Sequence, residues 1–233
     1  MEFNFSSSAK EVKSESFLKP WAVYDNVSFG GIQGPTTGDK KQGGTWRKWD
    51  LVFTCPDGVY KESIFEPSEG GDKRKEIDGQ NGGKIKMPSD IDNINLKLQQ
   101  VISVFMNDEN KAKFQKLSND GKFKGIEFSK FIEVVKKLLV NPKKPSADYP
   151  ISIKLQGNQN GYARLPYARI SERDGAEEAW MERWIGPNLT MSAYEKGKAS
   201  EYQKAKPTDM SAIDKPTIKD SDLEDLDSLV GEI

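Results

Sequence analysis

Two groups of strand-like segments, separated by a single block of helical periodicity, constrain the fold more than any other feature. In the first group apolar residues recur at every second position, as at Trp21, Val23, Val27 and Phe29, which is typical of half-buried β-strands. Between residues 90 and 140 apolar residues recur at three- and four-residue steps, which indicates amphipathic helices. The predicted strands are 21–29, 45–54, 59–65, 151–155, 162–167 and 180–185, and 188–194 is predicted as a short strand or helix.

Because strands and helices do not alternate, this order argues against a parallel sheet built from β-α-β units. It predicts a mainly β, α+β fold: an OB-fold-like Greek-key barrel that carries a helical insertion at residues 90–140. A β-sandwich is the alternative. Two glycine-rich stretches, 30–44 and 66–89, are predicted as long loops. The predicted organisation is a flexible N-terminus at 1–16, an OB-like domain at 17–195, a flexible linker at 196–219 and a disordered acidic tail at 220–233.

The chain has no histidine, and Cys55 is its only cysteine. This composition excludes Ser-His-Asp catalysis and zinc sites built from Cys and His, so we expect no cofactor and no enzymatic activity. Carboxylate chemistry with Mg²⁺ is left open by the composition. A single cysteine indicates a reducing compartment, for which we predict the cytoplasm. The lack of an apolar run of about 18 residues predicts no membrane span.

The formal net charge of −1 conceals an uneven distribution along the chain. Of the 36 acids six lie in residues 220–233, which contain no Lys or Arg, so that 1–219 carries 35 basic and 30 acidic residues. A mildly basic body followed by an acidic end indicates a polyanionic partner and a tail that competes with it. Leucines between the acids can dock a protein partner. The tail residues predicted to bind partners are Asp222, Leu223, Glu224, Asp225, Leu226, Asp227 and Leu229.

Aromatic and basic residues are interleaved in three places on the predicted strands, beginning with Trp46-Arg47-Lys48-Trp49. Single-stranded nucleic acid binds such surfaces because bases stack on rings while Lys and Arg neutralise phosphates. For any one aromatic residue, a place in the core is the competing explanation. The residues predicted to contact nucleic acid are Lys40, Lys41, Trp46, Arg47, Lys48, Lys61, Lys154, Tyr162, Arg164, Tyr167, Arg169, Arg183 and Trp184.

Three short segments, Val27–Ile32, Trp49–Phe53 and Asp222–Leu226, together with the order of barrel strands, linker and acidic tail, resemble phage single-stranded DNA-binding proteins. The resemblance covers nearly the whole chain and implies non-sequence-specific coating of single-stranded DNA in replication, recombination and repair. It also implies a C-terminal tail that recruits a polymerase, helicase or primase and occupies the DNA groove when DNA is absent. Some members hold structural zinc, for which this chain lacks the ligands.

A phage structural or head-assembly protein is the first alternative to DNA binding, and a Mg²⁺-dependent nuclease is the second. A structural protein should form ordered assemblies and ignore DNA, which the acidic tail does not predict. A nuclease would need several acids that converge in a cleft, and no D-x-D or E-x-K pair stands out on adjacent predicted strands. Self-association of the DNA-binding form is left open by the sequence.

Overall fold

The structure is a computed structural model that describes residues 17–40, 44–68, 70–78, 83–158, 160–173 and 175–205. The chain divides into two units at residue 199, and all of the strands in the described ranges belong to the first. The first group of strands is β1 Ala22–Tyr24, β2 Ser28–Asp39, β3 Thr45–Cys55, β4 Gly58–Phe65, β5 Lys75–Asp78 and β6 Lys84–Met87. The helical block is α1 Asp90–Phe105, α2 Asp108–Asn119 and α3 Phe128–Leu138. The second group is β7 Ser152–Gly157, β8 Ala163–Arg164, β9 Ala168–Arg173, β10 Ala176–Met181 and β11 Ile185–Gly186, followed by α4 Ala193–Ala205.

The antiparallel sheet β2-β3-β4 supplies one side of the core. Trp49, Leu51 and Phe53 alternate along β3 and are fully buried, because successive side chains of a strand point to opposite faces. Phe53 lies at the centre of the core, with its ring centroid 5.4 Å from that of Phe29 and 5.5 Å from that of Trp184. The aromatic residues of both strand groups therefore meet in a single core.

A second sheet has the order β1-β7-β11, and β8 pairs with the far end of β7. Backbone hydrogen bonds connect the two sheets, from the Leu18 amide to the Val59 carbonyl at 3.1 Å and from the Val27 amide to the Ile151 carbonyl at 3.0 Å. The remaining strands form the hairpins β5-β6 and β9-β10. Within the described ranges the fold is thus a mixed α/β structure with mostly antiparallel strands, arranged in four separate sheets of which none closes into a barrel.

Three helices lie between the two groups of strands, as the periodicity predicts, and the first begins at a capping box. The Ser89 hydroxyl accepts from the Asp92 amide, and the Asp92 carboxylate accepts from the Ser89 amide, both at 3.0 Å. On the opposite side of α1, the Glu62 carboxylate of β4 accepts hydrogen bonds from Lys97 and from the Tyr60 hydroxyl. Burial and the neighbouring Glu62 raise the pKa of Tyr60. These contacts fix α1 against the first sheet.

Residues 30–39 of the predicted long loop 30–44 form a strand instead, because β2 continues to Asp39 and pairs with β3. Glycine is used here for close approach rather than for flexibility: a Cβ at Gly38 would collide with the indole of Trp46, its cross-strand partner. Two bulges shift the register of β2 against β3, one between Phe29 and Gly31 and one between Gln33 and Thr36.

Two further predicted irregular regions contain regular structure. The predicted loop 66–89 includes the hairpin β5-β6, and the first ten residues of the predicted linker, 196–205, belong to α4. The acidic tail, the N-terminal segment 1–16 and residues 206–219 lie outside the described residues. None of the helices in the described ranges has the length and apolar character needed to cross a membrane.

Candidate nucleic-acid interface

A cleft of about 490 Å³ lies beside the second group of strands and the first turn of α4. Its walls come from β8, β9 and β10, and its floor comes from β7. Aromatic, charged and polar side chains provide most of the lining. They are Trp21, Gln156, Arg164, Tyr167, Arg169, Trp180, Glu182, Ser192, Tyr194 and Glu195.

The first aromatic–cation pair of the cleft is formed by Arg164 and Tyr167. The Arg164 guanidinium carbon lies 3.4 Å from the centroid of the Tyr167 ring, in a stacked contact. Arg164 is held there because its Nε donates to the Gly157 carbonyl at 3.0 Å and its Nη1 donates to the Leu165 carbonyl at 3.2 Å. Burial lowers the pKa of Arg164, but an arginine side chain stays cationic in proteins. Tyr167 is 64% exposed, so its ring is accessible to a ligand.

The second pair is formed by Arg169 and Trp180, which face each other across the β9-β10 hairpin. Residues directly opposite each other in an antiparallel pair project to the same side of the sheet. The guanidinium carbon of Arg169 lies 5.7 Å from the centroid of the Trp180 indole, which is 41% exposed. Among the described residues, neither Arg164 nor Arg169 has a carboxylate within salt-bridge distance.

Two aromatic residues from distant parts of the sequence complete the lining. The indole of Trp21 lies directly against Gly157 of β7, where a Cβ would collide with its Nε1 atom. Trp21 meets Tyr194 edge-on with a centroid distance of 6.3 Å, and Tyr194 is 66% exposed. The Lys198 ammonium lies 5.9 Å from the centroid of the Tyr194 ring, one helical turn further along α4. The cleft therefore has exposed rings on two sides, from Tyr167 and Trp180 on one side and from Tyr194 on the other.

A buried ionic network forms the floor of the cleft and fixes the start of α4. Lys154 and Glu195 are only 4% and 3% exposed, and the Lys154 ammonium lies 3.4 Å from Oε1 of Glu195. Glu182 also accepts from Lys154, and Gln156 Nε2 donates to Oε1 of Glu195 at 3.0 Å. Ser192 and Glu195 form a capping box, with the Ser192 amide 2.8 Å from Oε2 of Glu195 and the Glu195 amide 3.2 Å from the Ser192 hydroxyl.

The charge of Glu195 is maintained despite its position. Burial raises the pKa of a carboxyl group, but here the hydrogen bonds from Ser192 and Gln156, with the charge of Lys154, outweigh burial and lower the pKa of Glu195 below its ordinary value of 4.5. Glu195 is consequently an anion at neutral pH, and it neutralises Lys154 beneath the half-buried Arg164 and the exposed Arg169. The cationic character of the cleft therefore comes from Arg164 and Arg169, not from Lys154.

The structure brings together only part of the predicted nucleic-acid-binding set. Arg164, Tyr167 and Arg169 line the cleft, whereas Tyr162 is exposed at the turn before β8 and is absent from the lining. Arg183 is exposed and its Nε donates to the Ile185 carbonyl at 3.4 Å, also outside the cleft.

The predicted residues of the first strand group lie on the other sheet. Trp46 covers Gly38 and meets Phe65 edge-on at 6.0 Å. Arg47 pairs with Glu66 at 3.6 Å, and Lys48 donates to Asp50 at 3.2 Å. Lys40 is exposed at the end of the β2-β3 hairpin and Lys61 is exposed on β4, while Lys41 lies outside the described residues. None of the described members of this group lines the cleft.

Two predicted contact residues, Trp184 and Lys154, are corrected by their positions in the interior. Trp184 has no exposed surface and packs edge-on against Phe53, so a base cannot stack on it in the folded protein. Lys154 is buried between Glu182 and Glu195, where it neutralises carboxylates instead of phosphates. In both cases the local composition is consistent with a surface role, but the side chain packs in the interior.

Comparison of the chain with protein families, with curated proteins and with solved structures finds no match. In the described part of the chain no group of three or more Cys, Asp or Glu side chains is placed to hold a metal ion. The predicted partner-binding residues of the tail lie outside the described residues. The function must therefore be inferred from the geometry of the cleft.

Proposed function

We propose that this protein binds single-stranded DNA without sequence specificity, and that the cleft lined by Arg164, Tyr167, Arg169 and Trp180 is the binding site. The observation that carries the proposal is the presence of two arginine–aromatic pairs at one cleft, each with an exposed ring. Each pair offers a ring on which a base can stack and a guanidinium that can neutralise the adjacent phosphate. The protein acts, in this proposal, by binding and not by catalysis.

The size and chemistry of the cleft support a single-stranded ligand. A volume of about 490 Å³ lies within the range of roughly 300–1,000 Å³ that is typical of small-ligand sites, so one nucleotide fits without a duplex partner. The exposed Tyr194 ring provides a further stacking surface next to the cleft. Rings and guanidinium groups recognise base faces and phosphates instead of base edges, which is why we expect no sequence specificity.

Two finer predictions belong to the same proposal. The first is that the strands form an open variant of an OB-fold barrel, which is supported by the meander β2-β3-β4 and by the backbone hydrogen bonds that connect it to the second sheet. The second is that the acidic residues 220–233 compete with DNA and recruit replication proteins in the host cytoplasm, which is supported by their charge.

The proposal is tested by replacing Arg169 with alanine and by comparing Lys130→Ala, a matched loss of charge on α3. Arg169→Ala should weaken oligo-dT binding and lower the slope of log affinity against log salt by about 0.7, because one phosphate contact is lost. Lys130 is exposed, pairs with Glu127 at 3.3 Å and lies away from the cleft, so Lys130→Ala should leave the slope unchanged. Equal slopes for the two variants would contradict the assignment of the site.

A further inference from the structure

A second concave surface, which the DNA-binding proposal does not use, lies between α1 and the pair α2 and α3. It is an apolar groove of about 660 Å³. Three rings form a continuous row along one wall, since the Phe123 centroid lies 5.1 Å from that of Phe114 and 5.2 Å from that of Phe131. The opposite wall is the aliphatic face of α1, with Ile91, Ile94, Leu98 and Ile102.

The groove is open to solvent on its α2-α3 side, whereas most of its α1 side belongs to the buried core. Helix α2 contributes no fully buried residue, and the rings of Phe114, Phe123 and Phe131 are each only half-buried. Ile91 is exposed at the rim. Contiguous apolar surface of this kind on a folded domain marks a site where another segment packs.

The charges around the groove indicate what kind of segment fits. Residues 106–145 contain ten lysines and five acids, so the helical insertion is cationic. Lys116, Lys122 and Lys124 are exposed next to the groove-lining Ser118 and Phe123. In the described ranges no carboxylate lies within salt-bridge distance of these three lysines. An occupant should therefore combine apolar side chains with acids.

We propose that the groove binds residues 220–233 of a second copy of this chain. This segment has six acids and no base, and Leu223, Leu226 and Leu229 recur at three-residue steps between the acids. Leucines at that spacing share one side of a helix, which is the pattern of peptides that bind in apolar grooves. The acids complement the lysines at the rim. The contact is head-to-tail, because the groove and the acidic segment are different parts of the chain.

A synthetic peptide of residues 216–233 tests the groove directly, in a titration against the chain that ends at Lys219 and without nucleic acid. We expect saturable binding that weakens as salt rises, because exposed charges are screened. Reversal of two rim charges, Lys122→Glu with Lys124→Glu, should weaken binding roughly tenfold or more. Reversal of Lys137 and Lys144, exposed lysines outside the groove, is the charge-matched control and should change it little.

The apolar part of the contact has its own matched pair of variants. Ile91→Ser removes an exposed aliphatic side chain at the groove, and Val140→Ser removes one outside it. We expect weaker peptide binding for Ile91→Ser only. Absence of peptide binding, or equal effects of the groove and control variants, would overturn the proposal. Because the assay contains no DNA, this result is independent of whether the cleft binds DNA.

Sedimentation of the full chain then identifies the occupant. We expect the full chain to self-associate as its concentration rises. Truncation after Lys219 should abolish this association, and so should the separate double variant Lys122→Glu, Lys124→Glu. A full chain that stays monomeric at every concentration, although the peptide binds, would overturn the assignment to a second copy. Peptide binding that is insensitive to the groove variants, whether or not oligo-dT displaces the peptide, would also overturn it.

Discussion

Replacement of Tyr167 by alanine should weaken oligo-dT binding by roughly fivefold to more than a hundredfold, because stacking of a base on an aromatic ring contributes about 1–3 kcal/mol. Tyr167 is well exposed, so the substitution removes a ligand contact and little of the core. Stacking needs the ring and not the hydroxyl, so Tyr167→Phe should bind nearly as well as the original chain. Anisotropy of a fluorescently labelled oligo-dT measures the affinity of each variant.

The control for this experiment is Phe17→Ala, which removes an equally exposed aromatic ring outside the cleft. Phe17→Ala should bind oligo-dT as the original chain does. Thermal unfolding of each variant verifies that the fold is intact. If folded Tyr167→Ala binds with unchanged affinity, the ring is not a stacking platform and the site has been placed wrongly.

Replacement of Glu195 by alanine should lower the free energy of unfolding by about 3 kcal/mol, which is the usual cost of removing one partner from a buried ion pair. The change leaves Lys154 buried with only the more exposed Glu182 as a partner, and it removes the capping box of α4. Denaturant unfolding followed by tryptophan fluorescence at neutral pH measures the difference. Glu178→Ala, an exposed glutamate on β10, is the matched control and should cost little.

The same pair of variants has a defined pH dependence. The pKa of Glu195 is lower in the folded protein than its ordinary value of 4.5, so the folded state binds fewer protons at this group. The stabilisation is therefore fully present above pH 4.5 and is lost as pH falls through the lower folded pKa. The difference between the original chain and Glu195→Ala should shrink below that pH. If Glu195→Ala has the same free energy of unfolding as Glu178→Ala at neutral pH, the role assigned to the ionic network is contradicted.

The periodicity of the sequence predicts most of the helices and strands, because an element that buries one face carries apolar residues at the period of its secondary structure. Ile94, Leu98 and Val101 mark α1, and Trp49, Leu51 and Phe53 mark β3. Periodicity fails where burial is not the deciding factor. Helix α4 is polar around most of its surface and has no apolar stripe, although its capping residues Ser192 and Glu195 are a usable signal. In 30–44 the glycines suggest a loop, but Gly38 serves the packing of Trp46 in a hairpin.

The candidate site is predictable only where it is local in sequence. Arg164, Tyr167 and Arg169 belong to one short stretch, and their mixture of rings and cations indicates binding from the sequence alone. Trp21 and Tyr194 reach the cleft through the pairing of β1 with β7 and through the position of α4, and no local pattern encodes either contact. The sequence pattern instead places Trp21 among the apolar positions of a strand.

Composition also does not distinguish a surface cation from a buried one. Lys154 and Arg164 both lie in predicted strands, yet Lys154 is paired with Glu182 and Glu195, which lie 28 and 41 residues away. Such long-range partners decide whether a charge is available to a ligand. The same holds for Trp184, which is buried in the core against Phe53.

Titration of the full chain with oligo-dT at two salt concentrations tests the central claim most directly. The five tryptophans include Trp21 and Trp180 at the cleft, so intrinsic fluorescence reports occupancy without a label. We predict saturable quenching at low salt, weaker binding at higher salt, and tighter binding once the chain is cut after Lys219. No change in fluorescence and no measurable affinity at low ionic strength, even for the truncated chain, would show that the cleft does not bind single-stranded DNA.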